Sequence, residues 1–108
     1  MLIGLLAALV LSPHLAAKAE PVAVRSVRIT AYGPMPSVSS GVLKVFRRVH
    51  VVHPDGAEQA LYFVHHGAEG YPALGAQCDF MAEPQYVPSL DDLPDEPEGL
   101  VILNSSCR

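Results

Sequence analysis

The chain has 108 residues, with 7 Lys or Arg against 11 Asp or Glu for a formal charge of −4, no Trp, and an apolar half by composition. An acidic protein without a concentrated cationic surface has little with which to release counterions from a phosphate backbone, so nucleic acid is excluded as a partner. The length allows one small domain, whose modest core would benefit from a covalent staple.

The opening segment MLIGLLAALVLSPHLAAKAEP is apolar from Leu2 to Leu11, meets Ser12, Pro13 and His14, and ends in small residues around Ala17-Lys18-Ala19. That order predicts a signal-peptide helix over residues 1–19, cut after Ala19 at an A-x-A site. No Lys or Arg precedes the apolar core, so the terminal amine alone supplies its positive charge. A spanning helix needs about 20 apolar residues and this run stops at half that, so no transmembrane anchor is expected after cleavage. The predicted mature unit is residues 20–108, periplasmic or secreted. Its two cysteines, Cys78 and Cys107, are expected to pair, since export places them in an oxidising compartment. Closing a loop of that length contributes about 3 to 4 kcal/mol in the chain-entropy model. Metal or redox thiols are the competing reading, disfavoured by the absence of C-x-x-C.

Strand signals dominate from there on. In VRITAY, residues 27–32, apolar and polar positions alternate with period two. Residues 33–41, GPMPSVSSG, are punctuated as a loop. Val42 to His53 and Ala57 to His66 are β-rich runs joined by His53-Pro54-Asp55-Gly56-Ala57, where Pro54 presets φ, Asp55 can bond the local backbone and Gly56 accepts a left-handed position. Residues 67–77 form another loop, Cys78 to Ala82 a short strand, and Glu83 to Glu98 a long acidic connection rich in proline. Gly99 to Asn104 is a continuous apolar run suited to a strand buried on both faces. About five short strands with no helix beyond the signal segment predict an all-β fold: a small antiparallel sheet, a sandwich or an open barrel.

Charge is lopsided along the chain. Residues 20–53 hold five Lys or Arg against one acid, whereas 54–107 hold ten acids and no Lys or Arg. The run Asp91-Asp92-Leu93-Pro94-Asp95-Glu96-Pro97-Glu98 is expected to be a solvated loop. A sharper expectation folds it back over the basic first half.

Four histidines between residues 49 and 66 raise the question of a metal site. With Gly56 in a bulge position, His53 pairs with Ala57, His50 with Ala60, Val49 with Leu61, Val45 with His65 and Lys44 with His66. One face of the hairpin then collects Val45, Val49, Val51, Leu61 and Phe63; the other collects Lys44, Arg48, His50, Glu58, Tyr62 and His66. Arg47 falls on the apolar face and requires a bulge or an escape to the rim. His50 and His66 lie roughly 20 Å apart along the outer face at about 3.4 Å per residue, too far to share an ion that wants nitrogens near 2 Å. No cofactor or preformed metal site is expected; the weak candidates for Cu or Zn are His65 or His66 with Asp79, Glu69 or a carboxylate of the acidic loop.

Enzymatic readings find no motif. There is no G-x-S-x-G, no H-E-x-x-H and no phosphate-binding glycine loop, and a Ser40, His65, Asp79 set is what chance supplies. Asn104-Ser105-Ser106 matches a glycosylation sequon. Tyr71 and Tyr86 fall in loops, flanked by Pro or Gly or close to it, and are the candidate partner contacts. The expected function is therefore an exported, non-catalytic binding or structural module held by one disulfide, presenting loops 33–41, 67–77 and 83–98 to a protein or cell-envelope partner. Transition-metal binding is the alternative, and an enzyme with an unrecognised site the third.

Overall fold

A computed structural model describes residues 20–35, 44–65, 70–89 and 93–108. The expected signal segment lies outside the described residues, as do Ser40, His66, Glu69, Asp91 and Asp92. Five strands, β1 (Val22–Tyr32), β2 (Phe46–Val52), β3 (Glu58–Val64), β4 (Gln77–Val87) and β5 (Glu96–Cys107), form one mixed sheet. The sheet closes into a barrel in the order β1-β2-β3-β5-β4, and β4 returns to β1. The all-β class and the strand count match the expectation from sequence. The purely antiparallel arrangement does not hold, because β5 turns back from β4 and lands beside β3, running in the same direction; the barrel closes there through the single pair Tyr62↔Val101. Three meandering strands closed by a hairpin whose last strand meets the third make a five-stranded Greek-key barrel.

Closure depends on β1, which serves two ladders. Val22 to Arg28 pair with β4, and Arg28 to Tyr32 pair with β2. A strand can change partners only by bending, and a bulge between Val24 and Val27 supplies the bend. Ser26 takes a left-handed φ of 57° there, and its freed N–H donates to Asp79 Oδ1 at 2.7 Å.

The β2–β3 hairpin follows its turn chemistry. Gly56 sits at φ 93°, its N–H donates to His53 O at 2.9 Å, and Asp55 Oδ1 accepts the Ala57 N–H at 2.9 Å. The predicted register holds in Val49↔Leu61 and His50↔Ala60, and the His65 N–H donates to Val45 O. The ladder is uninterrupted, so Arg47 leaves the apolar face through the rim and not through a bulge.

Two clusters make the core. The barrel interior is filled by Val24, Val27, Ile29, Val49, Val51, Leu61, Cys78, Phe80 and Ile102. On the outer surface Phe46, Tyr62, Val87 and Val101 form a second cluster. Tyr62 was expected on a solvent face and is buried instead, because the far end of β4 folds over it. Gly99 makes that approach possible, since a Cβ there would stand 2.8 Å from Val87 Cγ2 and 3.1 Å from Tyr62 Cε2.

The predicted long connection 83–98 is strand at both ends. β4 runs on to Val87 and β5 starts at Glu96. Pro84 is tolerated because β4 has no β1 partner beyond Ala82 and is there an edge, where a missing N–H leaves no ladder bond unmade. Burial on both faces of the last strand holds from Gly99 to Ile102, with Leu100 half-buried, and ends at Leu103, which is 48% exposed.

Cys78 and Cys107 form the disulfide and sit directly opposite each other across β4 and β5. Gln77 and Arg108 exchange both backbone hydrogen bonds, so the cysteines occupy the adjacent, non-hydrogen-bonded pair, where the Cα atoms approach to 4.0 Å.

Candidate functional site

The barrel ladder is uneven around its circumference. β3 and β5 meet at the single pair Tyr62↔Val101, whereas β4 and β5 are paired from Val87↔Glu96 to Cys78↔Cys107. Past Val101, β5 runs on to Cys107 while β3 stops at Val64, and a cleft of about 500 Å³ opens between them.

The lining of this cleft reveals its geometry. Five consecutive β5 residues, Val101 to Ser105, border it, together with consecutive Phe63 and Val64 of β3. Successive strand side chains point to opposite faces, and the β4–β5 register shifts by one residue at Leu103, so this run borders the space with its backbone edge as well as its side chains. The cleft is therefore a slot between two strand edges. Hydrogen-bonded pairs alternate along β4 and β5 from Gln77/Arg108, which makes Asp79/Ser106 and Met81/Asn104 bonded pairs and directs the N–H and C=O of Ser105 and Cys107 away from β4. Among the described residues no backbone group pairs with them on that side.

Aromatic residues make one end of the slot. Tyr71 borders it, lies 5.4 Å from Phe63 and 5.6 Å from Tyr32 between ring centroids, stacks on His65 and shares a hydrogen bond with His65 Nδ1. Behind it stands Arg47, whose guanidinium carbon is 4.8 Å from the Tyr32 ring centroid and 5.0 Å from that of Tyr71. Arg47 Nε donates to Gly33 O at 3.0 Å, which fixes the side chain at the rim. Tyr32 donates its hydroxyl to Pro72 O at 2.6 Å, and burial pushes that hydroxyl up to about 12 against the opposing pull of Arg47. Lys44 also borders the slot and is held to Gln85 Oε1 at 3.3 Å; no acidic residue is among the described residues lining it.

The predicted site residues fall at different places. Tyr71 belongs to the slot. Tyr86, expected in a loop, lies instead in β4 one residue from its end; it is 57% exposed and donates to Asp95 Oδ2, while Asp95 Oδ1 accepts the Ser89 N–H, so Tyr86 ties the end of β4 to the residue before β5. Asp79 serves the β1 bulge. His65 is engaged by Tyr71, and His66 lies outside the described residues. His50 accepts from Arg48 Nε at 3.2 Å, and His53 shares a 2.6 Å hydrogen bond with Gln59. Among the described residues no group of three or more His, Cys, Asp or Glu is placed to hold a metal ion. Leu93, Pro94 and Glu96, from the acidic run, line a small recess with Arg48 and Tyr62. Phe63, Lys44 and the β5 edge were not singled out from sequence; the misplaced Arg47 was the available signal that something unusual occupies that rim.

No family model matches the chain, and it has no match among curated proteins or solved structures.

Proposed function

We propose that the protein is a small exported, non-catalytic binding module, periplasmic or secreted, whose ligand site is the slot between β3 and β5. The observation that carries this reading is the slot itself: about 500 Å³, bordered among the described residues by an aromatic wall, one cation and a strand edge without a backbone partner. Its volume and mixed lining are those of a ligand site. A barrel of this type hosts many activities, so its topology assigns none. The disulfide and the apolar opening segment support export.

The test uses the whole chain in its native host, carrying a photo-crosslinking residue in place of Asn104. A mature mass beginning at Glu20, two hydrogens light, is expected, with one crosslinked species that disappears when Ser105→Trp fills the slot. Retention of residues 1–19 with both thiols free contradicts export. Crosslinks absent, or unchanged by Ser105→Trp, contradict the site.

A further inference from the structure

We infer that the ligand of this slot is an extended acidic peptide segment, captured as an added β-strand between β3 and β5; this rests on the binding-module reading and specifies its ligand. Backbone geometry selects a peptide. Ser105 and Cys107 direct an N–H and a C=O each to the open side of β5, and a polypeptide strand matches such a row of alternating donors and acceptors at the spacing of a ladder. β3 and β5 run parallel, so a strand entering between them in the opposite direction is antiparallel to both, which is the more favourable pairing. Past the Tyr62↔Val101 pair, β5 runs from Ile102 to Cys107 over about 17 Å at 3.3 Å per residue, room for four or five ligand residues.

Side-chain chemistry selects acidity. The chain carries 11 Asp or Glu, yet the described lining holds none and contributes Lys44. A cationic slot on an otherwise acidic protein steers an anionic partner into one place and repels it elsewhere. Phe63 and Tyr71 offer an apolar anchor, so the ligand alternates apolar and acidic residues, one side chain on the aromatic wall and the next within reach of Lys44.

The experiment titrates isotopically labelled mature protein with three synthetic seven-residue peptides and follows backbone amides by NMR. The first alternates phenylalanine with glutamate, the second replaces glutamate with lysine, and the third is the first with alternate backbone nitrogens methylated. The first peptide is expected to move the amides of Ile102 to Ser105 and slow exchange at Ser105. The lysine peptide should bind about tenfold weaker, with the preference reversed by Lys44→Glu, and the methylated peptide should not bind. Equal binding of the methylated peptide overturns strand addition and leaves the binding site standing. Amide shifts that follow protein concentration without peptide assign the slot to a second copy and overturn the proposal. If no peptide moves these amides while the Asn104 crosslink persists, the peptide ligand is wrong and the site survives; if both fail, both readings fall.

Discussion

The carboxylate of Asp79 accepts the backbone N–H of Ser26 at 2.7 Å, joining two positions 53 residues apart at the bulge where β1 leaves β4 for β2. Without that acceptor the bulge N–H has no partner in the ladder, and a half-buried orphan donor is costly. Asp79→Ala is predicted to lower stability by about 1 to 3 kcal/mol in urea denaturation. Ser26→Gly relieves the left-handed φ of 57° and should be neutral or stabilising, by up to about 1 kcal/mol.

How far such relationships can be read from sequence depends on their range. The β2–β3 hairpin was legible because Pro54, Asp55 and Gly56 encode the turn locally, and period-two alternation then sets the register. The β1 bulge was not, since neither Ser26 nor Asp79 carries a local mark of a contact made across the barrel. The extent of β4 and β5 was missed because Pro84, Pro97 and the acids read as loop, while partners on one edge alone suffice to hold them as strand. The slot is a missing ladder between β3 and β5, and a pairing that fails to form leaves no trace in either segment. Tyr71 was singled out by its setting, but Arg47 was noticed only as an exception to the hairpin pattern.

Gly99 tests the outer cluster. An alanine Cβ would stand 2.8 Å from Val87 Cγ2, so Gly99→Ala must push β4 or the Tyr62 ring outward. A loss of about 1 to 3 kcal/mol is expected by thermal or urea denaturation. Gly70→Ala, with nothing within 4 Å of the added carbon, is the control and should leave stability unchanged apart from backbone effects.

Reducing Cys78–Cys107 removes a crosslink between residues separated by 29 positions and releases the end of β5. The Cys78→Ser, Cys107→Ser double variant should lose about 3 to 4 kcal/mol by the chain-entropy argument, compared with the oxidised protein in denaturant. Wild type under reducing conditions should move in the same direction.

Alkaline pH should weaken the aromatic rim. Burial raises the Tyr32 hydroxyl from 10.0 to about 12, so in this range the folded state keeps a proton that the unfolded chain has released. The unfolded state then binds fewer protons, and stability falls as pH rises from 10 toward 12 while being fully present below 10. Tyr62, also raised by burial, adds to the same limb. Tyr32→Phe should flatten part of this alkaline loss while lowering stability at neutral pH by about 1 kcal/mol, through the lost bond to Pro72 O.

The open β3–β5 seam is the claim on which site and ligand both depend, and residue-resolved amide exchange on the unliganded mature protein tests it most directly. Asn104 and Ser106, bonded to β4, should be protected, while Ser105 and Cys107 exchange fast, giving an alternating pattern along β5. Uniform protection from Asn104 to Cys107 would mean that the edge is already paired, and would contradict the account.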